Sequence, residues 1–187
     1  MADIAMANRT LVLEGARAGS ATVSIKMAAP AYRLALRAKA DAVSELSQAL
    51  DISMPQAPKT STTSALRAAL WLGPDEWLVI DQGESNLLDA CATVSAPHSA
   101  TDVSHRNTAI TVSGEGAEAT LNAGCPQDLS LGVFPVGACS RTVLGKAEVV
   151  ILRVAEDTFR VECWRSFADY VFGLLEEGAR DAGASQD

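Results

Sequence analysis

Asp102, Ser104 and His105 lie within four consecutive residues and are the three side-chain types of a hydrolytic triad. Their spacing argues against that chemistry. On an extended segment, successive side chains alternate faces, so positions i, i+2 and i+3 do not converge on one point. The chain also has no Gly-x-Ser-x-Gly elbow to present a nucleophilic serine. The group is therefore expected to serve hydrogen bonding within the fold or toward another subunit. The second histidine, His98, has no motif around it and reads as a surface loop residue. Ser113-Gly114-Glu115-Gly116 precedes a short helical pattern, where an anion could sit on the helix N-terminus. The third glycine of a dinucleotide loop is missing, and Glu115 and Glu118 would repel phosphate. A tight turn into a helix is the expectation. The four cysteines, at 91, 125, 139 and 163, show no Cys-x-x-Cys spacing and read as buried thiols acting as small hydrophobes.

Bulk composition narrows the classes further. A net charge of −8 disfavours nucleic acid and anionic membrane surfaces, both of which require a Lys/Arg footprint. With 48% hydrophobic and 20% charged residues the chain is globular, and its 187 residues fit one domain or two small fused modules. Met1–Thr10 carries Asp3 and Arg9 without a long apolar run, and no stretch reaches a membrane-spanning length. The expected location is the cytoplasm.

The elements that must position these residues are organised around Ala68–Ile80. Two short apolar runs rich in Trp, Val and Ile flank Gly73-Pro74-Asp75-Glu76, which predicts a β-hairpin. Val149–Val154 and Phe159–Trp164, joined by Ala155–Thr158, predict a second. Asp75 corresponds to Asp157 and Trp77 to Phe159, both at an offset of 82 (157 − 75 and 159 − 77), so one unit is used twice. Thr22–Met27 and the alternating Tyr32–Arg37 read as strands. Val43, Leu46 and Leu50 form one face of a helix opened by Asp41, and Asp51–Ser64 reads as a loop. Leu87, Leu88, Cys91 and Val94 mark the next helix. In the second half, Thr108–Val112 reads as a strand, Ala117 and Leu121 as a helix face, and Cys139–Leu144 as a further strand. The last helix is expected to start at a Ser166–Asp169 capping box, carry a stripe of Phe167, Tyr170, Val171 and Leu174, and stop at Gly178.

The predicted fold is therefore α+β, two ferredoxin-like split β-α-β units in tandem with a linking strand between them. The expected division is a loose N-terminal arm over 1–20, a first β-α-β-β-α unit over 21–100, a second over 101–180 and a disordered tail over 181–187, all in one compact body. Trp71, Trp77 and Trp164 lie in the hairpins and read first as core. Tryptophan is also enriched at interfaces, and Arg106, Arg141, Arg153, Arg160 and Arg165 cluster in the second half. The candidate subunit-contact residues are Trp71, Trp77, His105, Arg106, Trp164 and Arg165.

Asp102–His105, Gly114, Asp128–Ser130 and the Ala155-Glu156-Asp157 turn resemble, over residues 98–178, the aminomethyltransferase (T-protein) family of the glycine cleavage system and its folate-binding relatives. Trp71–Leu78 followed by Asp102–Asn107 is most similar to the gamma-subunit family of heterotetrameric sarcosine oxidases. The resemblance implies the folate-binding-domain fold and a complex with an alpha subunit as the main contact and beta and delta subunits beside it. FAD, FMN, NAD and zinc are then expected on those partners, with no cofactor, metal or catalytic residue on this chain. It further implies that the complex oxidises sarcosine to glycine and hydrogen peroxide, with tetrahydrofolate leaving as 5,10-methylenetetrahydrofolate. When aligned on the second hairpin, the transferases' Gly-Gly-x-x-Asp-Asp pair falls on Ala147 and Glu148, so the first carboxylate is lost. The rival expectation is an autonomous folate-dependent aminomethyltransferase-like enzyme or folate-binding protein.

Overall fold

The computed structural model describes residues 12–64, 66–83 and 86–184; the first part of the expected arm and the last residues of the expected tail lie outside the described residues. In chain order the strands of the first half are β1 (Arg17–Gly19), β2 (Ser24–Met27), β3 (Tyr32–Ala38), β4 (Ser61–Ser64), β5 (Arg67–Gly73) and β6 (Glu76–Asp81). Helix α1 (Val43–Ala49) follows β3, and α2 (Leu87–Ala92) follows β6. Then come β7 (His98–Asp102), β8 (Asn107–Ser113), α3 (Ala117–Asn122), β9 (Cys139–Leu144), β10 (Ala147–Ala155), β11 (Thr158–Trp164) and α4 (Ala168–Ala184).

Among the described residues the strands form two antiparallel sheets, ordered β4-β5-β6-β3-β7 and β1-β2-β8-β11-β10-β9. Within the first, β3, α1, β5, β6, α2 and β7 make a complete split β-α-β unit, with β7 as its fourth strand on the free edge of β3. The second repeats it with β8, α3, β10, β11 and α4, and here the fourth strand is β2, supplied from the N-terminal side of the whole first unit. Ser24–Met27, expected in the first unit, thus pairs in the second sheet. The 17–19 part of the expected loose arm is strand β1, laid antiparallel on β2. The fourth strand of a split unit must lie beside its first. In the second unit that edge of β8 is filled by the earlier segment, whose Ile25 adds to the core. The repeat extends to detail: both hairpins carry a register shift, at Trp71/Gly73 and at Arg153/Ala155, at the same offset of 82 (153 − 71 and 155 − 73).

Three apolar clusters hold the layers. Leu34, Leu36, Trp77 and Val79 pack under α1 and α2 through Val43, Leu46, Leu87 and Cys91. Ile110, Val149, Ile151, Phe159 and Val161 pack under α3 and α4 through Leu121, Val171 and Leu175. The third cluster joins the sheets face to face: Leu70, Leu78 and Ile80 from one meet Cys139, Val150 and Leu152 from the other. Side chains of a strand alternate faces, so burying both faces of β10 requires the unbroken apolar run Val149–Leu152.

The structure corrects several element expectations. Thr60 to Ser64 is not all loop: Ser61–Ser64 is β4, whose Thr62 and Thr63 suit an edge strand paired with β5. The capping box does not form; a 3-10 turn at Arg165–Phe167 leads into α4, with Trp164 as its N-cap and no side-chain cap bond. The buried stripe of α4 is Ala168, Val171, Phe172, Leu175 and Ala179, which leaves Phe167 and Tyr170 exposed. Gly178 does not stop the helix, which runs to Ala184 and into the expected tail. It instead allows α3 to approach, since a Cβ there would lie 2.6 Å from the Thr120 carbonyl oxygen.

Candidate functional site

Four of the six residues singled out in the sequence come together where β8 begins and β11 ends. Asn107 pairs with Trp164 in register, and the Arg165 N–H donates to the Arg106 carbonyl at 2.7 Å. The Arg106 guanidinium lies 5.0 Å from the Trp164 ring centroid, a cation–π distance, and Phe167 stands 6.2 Å from the same ring. Arg106, Trp164, Phe167 and Tyr170 are exposed. His105 and Arg165 line an adjoining cavity of about 240 Å³ with Arg33 and Ser104.

Trp71 and Trp77 lie elsewhere, on the first sheet. Trp77 is core: it is buried and donates its indole N–H to the Pro55 carbonyl at 2.6 Å. It offers no surface to a partner. Trp71 is half-buried against the same cluster.

Two of the three triad types are used by the backbone. The Asp102 carboxylate accepts from the Ser104 N–H at 2.8 Å, and the Ser104 hydroxyl accepts from the Arg33 N–H at 2.8 Å. They thereby fix the turn after β7 against β3, while His105 is exposed. His98, expected on a surface loop, opens β7 and is bonded through Nδ1 to the Ala96 carbonyl at 2.8 Å.

At Gly114, φ is +114° and a Cβ would come within 2.2 Å of the Thr22 carbonyl, so the glycine admits the chain's own backbone where a phosphate loop would admit a ligand. The thiols are buried. Burial pushes Cys139 up to about 11 and Cys163, beside the Glu162 charge, up to about 12, so neither is a neutral-pH nucleophile. Among the described residues no group of three His, Cys, Asp or Glu converges as a metal site.

Sequence reasoning missed a buried ionic cluster between the sheets. The Arg33 Nε donates to Glu162 Oε2 at 2.5 Å and the Arg160 Nε donates to Oε1 at 2.7 Å, with Arg33, Arg160 and Glu162 only 3%, 9% and 2% exposed. Arg67 pairs with buried Asp81 at 2.9 Å. Arg153 is also interior, bonded to the Leu129 and Glu156 carbonyls and 4.3 Å from the Phe159 ring, so neither it nor Arg160 is a surface anchor. Nearer the surface, Glu76 joins the sheets by accepting from Arg141 at 2.5 Å and from Arg37 at 3.0 Å. The Arg141 hydrogen bond, followed by the charges of both arginines, holds its carboxyl below the usual range. The available signal was the apolar run of β10: a strand buried on both faces requires its neighbour's polar residues to be buried and paired.

The tandem arrangement places the chain in a known fold class. Aminomethyltransferase T of the glycine cleavage system from Bartonella henselae superposes with a TM-score of 0.63 at 15% identity, over 87% of this chain and 50% of that one. That likeness shows the fold. A chain of the heterotetrameric sarcosine oxidase from Corynebacterium sp. U-96, solved in complex with pyrrole 2-carboxylate, superposes with a TM-score of 0.82 at 26% identity, over 92% of this chain and 91% of that one. The sarcosine oxidase subunit gamma of Corynebacterium sp. (strain U-96) is 27% identical over 174 residues, 90% of this chain and 85% of its own length. The model of the sarcosine oxidase, gamma subunit family matches residues 35–181, and the chain belongs to that family.

Proposed function

We propose that this chain is the non-catalytic gamma subunit of a heterotetrameric, cytoplasmic sarcosine oxidase and works by docking on the large alpha subunit. The complex would demethylate sarcosine oxidatively to glycine and hydrogen peroxide, with tetrahydrofolate converted to 5,10-methylenetetrahydrofolate. FAD, FMN, NAD and zinc would belong to the alpha, beta and delta partners. The family membership over residues 35–181 carries this reading. The exposed cluster of Arg106, Trp164, Phe167 and Tyr170 supports a docking role, since aromatic side chains and arginine dominate binding energy at interfaces. The described helices include none long and apolar enough to cross a membrane. The chain would stabilise its partner by mass action and bury, in total, more than about 2,000 Å².

The test is co-expression of a tagged chain with the flavin-bearing subunits. The expected result is a stable complex that contains this chain, and sarcosine oxidation that needs the partners. A chain that stays monomeric beside those subunits, or that binds tetrahydrofolate and turns over alone, would overturn the proposal in favour of an autonomous folate enzyme.

A further inference from the structure

A cleft of about 490 Å³ opens between the two sheets at the end away from Trp164, lined by Arg67, Arg160, Thr111 and Thr158. Its rim carries Leu66, Val136 and Val154, each about half exposed. Large aliphatic side chains grouped around a polar recess mark binding sites more often than bare surface.

The charge inside does not balance. Arg33 and Arg160 share the single carboxylate of Glu162, while Arg67 is matched by Asp81 and Arg153 by Glu118. Among the described residues no other carboxylate reaches Arg160. Its Nε is held by Glu162, while its Nη2 is buried and has no hydrogen-bond partner among the described residues. A guanidinium carries five donors in a fixed fork, and a buried one left unpaired is costly. A cation in excess among the described residues, a buried guanidinium N–H of that cation without a partner and an apolar rim together call for an anion with a hydrophobic body.

We propose that this cleft binds a carboxylate carried on an aliphatic body, with Arg160 as the anion's partner and Leu66, Val136 and Val154 around its chain. The carboxylate has two sources, a free small molecule or a side chain of a partner subunit, and both use the same chemistry.

The test uses hexanoate as the probe, with 1-hexanol and hexylammonium as controls, titrated into the full chain and followed by calorimetry and by methyl NMR of Leu66, Leu152 and Val154. The expected result is saturable hexanoate binding, weaker by about 10- to 100-fold for the neutral alcohol and undetectable for the cation. Arg160→Met is expected to weaken hexanoate by the same factor. Leu66→Asp, on the exposed rim and harmless to the core, is expected to abolish binding by repelling the anion. Repeating the titration on the assembled complex separates the sources: retained binding points to a free ligand, and binding lost only on assembly points to a partner carboxylate. Absence of binding to the chain alone, equal affinity for hexanol, or hexanoate affinity unmoved by Arg160→Met would each overturn the proposal.

Discussion

Substituting Glu162 by glutamine tests how the sheets are held together. Glu162 accepts from two guanidiniums, at 2.5 and 2.7 Å, and none of the three side chains is more than a tenth exposed. Glutamine keeps the size and one acceptor but removes the charge, stranding two cations between the sheets. Breaking a buried ion pair from one side costs about 3–5 kcal/mol. In a chain of this length each kcal/mol lowers Tm by about 2–4 °C, so the expected loss is on the order of 10 °C. Arg160→Met is the matching control. It removes the surplus cation, leaves the Arg33–Glu162 pair intact and substitutes an aliphatic side chain, so it should cost less than about 1.5 kcal/mol. Urea unfolding followed by tryptophan fluorescence and far-ultraviolet circular dichroism measures both. A Glu162→Gln cost below about 1 kcal/mol, or one smaller than that of Arg160→Met, would refute the idea that the Glu162 charge holds the two guanidiniums between the sheets.

Three further outcomes are expected. Trp164→Ala should weaken capture of the flavin-bearing partners by roughly 30-fold, the loss of a binding hot spot, while shifting the chain's own Tm by only a few degrees; surface plasmon resonance and a thermal scan read the two effects separately. Cys139 and Cys163 hold their protons in the fold up to about 11 and about 12. The unfolded chain gives them up near pH 8.5, so stability is full below that value and falls as pH rises toward about 12; thiol labelling at pH 7 should be negligible until denaturant is added. Gly178→Val should cost about 1–3 kcal/mol by chemical denaturation, because its side chain would meet the Thr120 carbonyl where α4 crosses α3.

The repeat and the face of α1 were legible in the sequence because they depend on local pattern. The 82-residue offset survives down to the hairpin bulges, and Val43, Leu46 and Leu50 are buried together as their spacing requires. What could not be read locally was which unit a strand joins. Ser24–Met27 precedes the first unit yet completes the second, a pairing set by the open edge of β8 across more than eighty residues. The same limit applies at the candidate site. Arg160 and Glu162 alternate with Phe159, Val161 and Cys163, a pattern that normally means an exposed face, and only a second sheet packed on that face buries them. Phe167 and Tyr170 show the reverse. They fit an apolar stripe by type, but the face of α4 that packs on the sheet runs through Ala168, Val171, Phe172, Leu175 and Ala179, and both aromatic rings are left on the surface.

The most direct measurement is native mass spectrometry of the chain co-expressed with the alpha, beta and delta subunits, with oxygen uptake on sarcosine recorded for the complex and for the chain alone. The expected result is one copy of this chain in a stable heterotetramer and uptake only from the assembly. A heterotetramer that never forms, or sarcosine-dependent uptake by the chain on its own, would contradict a docking subunit without a reaction centre.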